Sequence, residues 1–160
     1  MKCKPIRCLL AAALLVSVLF TFTSCGQEKK LTEAYRSGVA AAKTSITAEN
    51  REFTETVSAF FEGSSDESKK AVLTAIDELA AAYRALEALT PPEAYAETQA
   101  SLGEAASLAK QAAAVYREQF ESLDLEAQSV ADSFVEELLR ADELLREANG
   151  KLNDAADTVA

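Results

Sequence analysis

An antiparallel four-helix bundle, all-α and connected up-down-up-down, is the fold this sequence predicts, and three observations predict it. Alanine is abundant, while the 160 residues include only 5 Gly and 3 Pro, the two residue types that most oppose helix. Stop and start signals divide the chain into segments. Each segment carries an apolar stripe at helical spacing. The helices expected from these signals run over about 28–62, 65–89, 91–121 and 125–156.

The first helix is read from Leu31, Tyr35, Val39, Ala42, Ile46, Phe53, Val57 and Phe60, which recur every three or four residues. It ends at "FFEGSSDESKK", where Gly63 suits a C-cap and Ser64 with Glu67 makes a capping box for the next helix. That second helix carries Val72, Ile76, Leu79, Tyr83 and Leu86. The stretch "ALTPPEAY" then offers Thr90 with Glu93 as another box, and Pro91 at the first helical position, where its missing N–H costs nothing.

In the third segment Tyr95, Leu102, Ala109, Tyr116 and Leu123 fall seven apart, with Ala105, Ala112 and Phe120 between them. The last part shows Ala127, Phe134, Leu138, Ala141, Leu145, Ala148 and Leu152. No Gly or Pro separates these two stripes, and a single helix from 91 to 154 would be about 95 Å long. The first two helices, about 50 and 37 Å, cannot cover it. A turn is therefore expected near 122–124, with Asp124 as N-cap of the fourth helix.

The start of the chain has a different character. Lys2, Lys4 and Arg7 precede an apolar run over 9–22, which is short of the roughly 20 residues that a membrane span needs. A basic start, an apolar middle and a small-residue end together have the form of a secretory signal. The end is "FTSC", which resembles the lipobox of bacterial lipoproteins: Ser24 and Thr23 occupy its small positions, Cys25 is the acceptor, and Phe22 stands where Leu is usual. The resemblance covers the first twenty-five or so residues. It implies a signal peptide over 1–24, cut between Ser24 and Cys25, and a Cys25 that carries a diacylglyceryl lipid with palmitate-type chains. One helical domain, 25–160, follows. If the cell has two membranes, Gly26 after the cysteine implies outer-membrane sorting by the same family's rule. On this reading Cys3 and Cys8 leave with the signal and Cys25 is acylated, so no disulfide supports the fold.

All 26 acidic side chains lie beyond Cys25, and three of the 16 basic ones precede it, which takes the net charge from −10 to −13. Such a surface repels nucleic-acid phosphates and anionic lipid heads. No nucleic acid is expected among its partners. Beyond Cys25 there is neither histidine nor thiol, so Ser–His and Cys–His catalysis has nothing to build with. Zinc and copper would lack their commonest ligands, and a di-iron bundle its Glu-x-x-His motifs. The acidic pairs Glu136/Glu137 and Asp142/Glu143 lack the spacing of a calcium loop and read as a solvated face. The expectation is a protein with no catalytic residue, no metal and no cofactor.

Three features invite a functional reading. Tyr35, Tyr83 and Tyr95 fall at one end of the bundle among alanines, where they could line a small-ligand pocket. At the other end Phe61 is turned away from the stripe that holds Phe60, and with Leu125 it could form an apolar tip for a partner. Glu49 interrupts the first stripe between Ile46 and Phe53. The function expected is a lipid-anchored envelope interaction module. A small-ligand binder is the alternative, and an enzyme is a distant third.

Overall fold

A computed structural model describes residues 26–126 and 132–160. The signal segment with Phe22, Thr23, Ser24 and Cys25, and Ala127 of the last stripe, lie outside the described residues. The chain is an all-α four-helix bundle: α1 Gly26–Glu62, α2 Asp66–Arg84, α3 Ala96–Ser122 and α4 Asp132–Val159. Two 3₁₀ turns, Ala85–Ala88 and Glu93–Tyr95, connect α2 to α3. Each helix packs on the next in sequence and α4 returns to α1, so the connectivity is up-down-up-down.

The breaks fall where expected, but their chemistry differs. After Glu62 the Gly63 N–H still bonds back to the Ala59 and Phe60 carbonyls at 3.2 and 3.3 Å. The capping box then forms one residue later than the predicted Ser64/Glu67 pair. Ser65 is the N-cap of α2: its Oγ accepts from the Ser68 N–H at 3.1 Å, and its own N–H donates to Ser68 Oγ at 2.9 Å. Ser64 is committed elsewhere, its hydroxyl donating to the Phe60 carbonyl at 3.1 Å.

The Thr90/Glu93 box does not form, and no side chain caps either the Glu93–Tyr95 turn or α3. The double proline explains this. A residue before proline is pushed out of the α region, so Pro92 keeps Pro91 from opening a helix. Pro92 itself is extended, at φ −63° and ψ 158°. The second helix consequently ends near Arg84 and the third begins at Ala96, rather than at 89 and 91.

The break after α3 is real. Leu123 is extended at φ −67° and ψ 120°, and Leu125–Glu126 form a turn in which Asp124 Oδ1 accepts from the Glu126 N–H at 2.9 Å. Asp124 thus caps a turn, not a helix starting at 125. Lys69 on α2 supplies what the sequence did not reveal. Its Nζ donates to the carbonyls of Glu121 and Leu123 at 3.1 and 2.8 Å, placing a cation on the negative end of α3.

Almost every predicted stripe residue is buried or half-buried. Leu31 is the exception, at 39% exposure. Arg36 donates to the carbonyls of Val159 and Ala160, which sets the end of α4 level with Arg36. Leu31 lies more than one turn before Arg36 on α1. At the opposite end the core is aromatic. Phe120 meets Phe60 and Phe134 edge-on at 5.2 and 5.6 Å, and Phe53 meets Tyr116 edge-on at 4.8 Å.

The four helix contacts are unequal. The α3–α4 pair is the most extensive and α1–α4 by far the thinnest. Buried Ala105, Ala109 and Ala112 on α3, with Ala141 and Ala148 on α4, carry side chains small enough for those two helices to approach closely. α4 leans toward α3, and the seam with α1 is left partly open.

Candidate groove between the first and last helices

Apart from Leu31, the exposed large apolar side chains among the described residues line this open seam. Toward the aromatic end lies a groove of about 330 Å³. Its floor is the buried Phe53, Tyr116 and Phe134. The α1 wall is Thr54, Val57, Ser58 and Phe61; the α4 wall is Val135, Leu138, Leu139 and Asp142. Phe61, Val135 and Leu139 are 53, 50 and 60% exposed. These are large side chains that a bundle would ordinarily cover or replace by polar ones.

Helical geometry explains how α4 builds its wall. Val135, Leu138, Leu139 and Asp142 stand at i, i+3, i+4 and i+7, one stripe rotated from the core positions Phe134, Ala141 and Leu145. Beside its core stripe α4 therefore exposes Val135 and Leu139, while Leu138 between them is half-buried against the core. Asp142 and Glu143 are both exposed, as a solvated face requires. The two carboxylates diverge. Glu143 pairs with Arg146 at 3.5 Å on the surface, whereas Asp142 turns into the groove and accepts a hydrogen bond from the Tyr116 hydroxyl. Burial first, and then the bond to Asp142 and its negative charge, push the Tyr116 phenol far above its ordinary pKa. Glu137, of the other acidic pair, meets Arg140 at 3.4 Å.

Phe61 is exposed, as expected of a residue about 100° off the stripe, and its ring lies edge-on to Phe60 at 5.4 Å. Leu125 is instead half-buried against the core. The apolar surface around Phe61 is completed by Val135 and Leu139.

The three tyrosines are not brought together. Tyr35 stacks on Tyr95 with ring centroids 5.6 Å apart, and its hydroxyl donates to Gln99 Oε1 at 3.0 Å. Gln99 is fixed in turn by its bond to the Leu86 carbonyl at 2.9 Å. Tyr83 reaches elsewhere: its hydroxyl donates to Asn149 Oδ1 at 2.8 Å, which also accepts from Asn50 Nδ2 at 3.1 Å. Asn50 lies fifteen residues along α1 from Tyr35, about 22 Å away along the helix. Tyr83 belongs to a polar layer inside the bundle, Tyr35 and Tyr95 to its end.

The seam opens again near the last turns of α4, in a shallow hollow of about 740 Å³ lined in part by Arg36, Lys43, Thr47 and Asp157. Its cations are engaged, Arg36 by the Val159 and Ala160 carbonyls and Lys43 by Asp157 at 3.7 Å. Glu49 is half-buried on the other side of α1; burial, then Glu78 and Glu52, hold its carboxyl above the ordinary carboxylate range. Among the described residues no three His, Cys, Asp or Glu side chains are grouped to hold a metal, and no helix is long and apolar enough to cross a membrane.

Fold and groove together define the class: an acidic four-helix bundle with one seam left open and apolar. Comparison with protein-family models, with curated proteins and with solved structures gives no match.

Proposed function

We propose that the protein is an exported lipoprotein whose bundle is a non-enzymatic module that binds an envelope protein through the groove between α1 and α4. The anchor is a diacylglyceryl group on Cys25, which holds the chain at the outer face of the cell membrane, or in the outer membrane if the cell has two. Its support is the "FTSC" sequence and the apolar run before it. The described chain is helical from Gly26, the residue after the proposed anchor. The groove at Phe61 lies about 50 Å along α1 from the anchor, far enough to meet a partner beyond the lipid surface.

The observation that carries the binding reading is the exposure of Phe61, Val135 and Leu139 around a preformed apolar groove. The small-ligand reading at Tyr35, Tyr83 and Tyr95 has less support, because Tyr35 and Tyr95 cover one another and the Tyr83 hydroxyl is held by Asn149. Crosslinking in intact cells, comparing wild type with Phe61→Ser and Leu139→Ser, tests the proposal. Both variants should stay folded and lose a crosslinked species. Folded variants that retain every crosslink would remove the groove from consideration.

A further inference from the structure

α4 changes character at Gly150. Just before it, Asn149 is held from two sides, by the Tyr83 hydroxyl at 2.8 Å and by Asn50 Nδ2 at 3.1 Å. Further back, Phe134 packs edge-on to Phe120 at 5.6 Å. Gly150 itself weakens the helix, because glycine gives up the most backbone freedom on becoming helical. No close packing requires it: a Cβ there would meet no atom within 4 Å, unlike Gly38, where it would meet Leu89. Beyond Gly150 the buried side chains are Leu152, Ala155, Ala156 and Val159. Two of these four are alanines, with little apolar area to lose. Charged contacts supply the rest of the attachment. Lys151 meets Glu104 on α3 at 2.7 Å, and Asp157 meets Lys43 on α1 at 3.7 Å. Arg36 on α1 donates to the Val159 and Ala160 carbonyls, at the negative end of α4. Glu104 and Asp157 are largely exposed, so water and salt compete for both ion pairs.

We propose that residues 151–159 form a strap that hinges at Gly150: its charged contacts with α1 and α3 latch it closed, and its release opens the bundle between them. The surface it uncovers is marked by the shallow hollow beside it, which Val39 of α1 lines together with Ala156 and Val159. Val39 is fully buried while the strap is closed. Release of a strap differs from ordinary fraying of a helix end. Fraying loosens residues one after another from Val159 inward, whereas a hinged strap gives way as one cooperative unit bounded by Gly150. The groove at Phe61 lies on the other side of the Asn50–Asn149 contact and takes no part in this motion.

Hydrogen exchange of the full chain in detergent, resolved on short peptides by mass spectrometry, tests the hinge. Amides of 151–159 should exchange together, about tenfold or more faster than those of 140–149, and faster still as salt rises. Gly150→Ala should slow them by about fivefold, the effect of replacing glycine by alanine inside a helix. Gly103→Ala, on α3 and equally open around its Cβ, should not slow them. Arg36→Ala should speed them and leave the α2 amides unchanged. Alkylation of Val39→Cys, read on its own peptide, should accelerate with Arg36→Ala and slow with Gly150→Ala. Protection that falls off smoothly toward 159, without a step at Gly150, would mean fraying and overturn the strap. So would a Gly150→Ala variant that exchanges at the wild-type rate, or a Val39→Cys thiol whose reactivity ignores both substitutions. If Arg36→Ala speeds exchange in α2 as much as in 151–159, Arg36 holds the whole bundle and the strap proposal fails.

Discussion

The hydroxyl of Tyr83 on α2 donates to Asn149 Oδ1 on α4 at 2.8 Å, across the bundle interior. The same oxygen accepts from Asn50 on α1 at 3.1 Å, so three helices share one acceptor. A polar layer of this kind fixes helix register, because sliding any member by a turn leaves a buried polar group unpaired. Asn149→Ala should destabilise the bundle by about 1–3 kcal/mol, since the buried Tyr83 hydroxyl loses its acceptor. Tyr83→Phe should cost less, about 1 kcal/mol, because Asn50 still satisfies Asn149. Denaturant titration of both variants checks the order.

The same tyrosine gives a pH signature. Burial pushes the Tyr83 phenol up to about 12, although the bond with Asn50's side chain acts the other way. Its folded value therefore lies above its unfolded value near 10. Stability from this group is fully present below pH 10 and is lost as pH rises from 10 through 12. Tyr116, raised still further, adds to the same alkaline loss. Thermal melts between pH 9 and 12 should fall more steeply for wild type than for Tyr83→Phe.

Glu49 acts at the other end of the scale. Its carboxyl is held above the ordinary range by burial and by Glu78 and Glu52. The folded state favours the protonated form, so this group contributes stability below its unfolded pKa and loses it as pH rises through the folded value. Glu49→Gln should raise Tm at neutral pH, and the gain should shrink as the wild-type carboxyl is protonated on acidification. A variant that is less stable than wild type at pH 7 would show that Glu49 has a favourable partner instead.

Two phenylalanines on the groove floor separate core from surface. Phe53 and Phe134 are each 5% exposed, and truncation to Ala should cost about 3–5 kcal/mol at either site. Phe61 is 53% exposed, and Phe61→Ser should change stability by no more than about 0.5 kcal/mol. Urea unfolding of the three variants measures the contrast. A large loss for Phe61→Ser would mean that its edge contact with Phe60 holds the end of α1 in place.

The anchor proposal has its own measurement. Mass spectrometry of protein taken from its native envelope should show a chain that begins at a diacylated Cys25. Cys25→Ala should appear as uncleaved precursor or be released from membranes. An unmodified Cys25 in that preparation ends the lipoprotein reading and leaves the groove reading intact.

Much of the bundle was legible because apolar periodicity belongs to one helix at a time. Val72, Ile76, Leu79, Tyr83 and Leu86 can face only one way once they are helical, and all are buried. The first two breaks were legible for the same local reason, in Gly63, the serines and the proline pair, whereas the third was read only from the length of helix the others could cover. What depends on two helices at once was not. Lys69 reaches the end of α3 only because α2 lies beside it. Gly38, a costly residue inside a helix, belongs to the same class: a Cβ there would sit 2.8 Å from Leu89 Cδ2, and nothing local to α1 announces that contact.

The sequence by itself determined that four amphipathic helices form, roughly where the chain turns between them, and that Phe61 falls off the core stripe of α1. Only the tertiary structure decided which seam stays open. Alanines let α4 lie close to α3, and Val135 and Leu139 on α4 are left exposed beside α1 across a gap. The physical reason is that periodicity fixes which face of a helix is apolar, whereas the distance between two helices depends on the side chains of every helix packed against them.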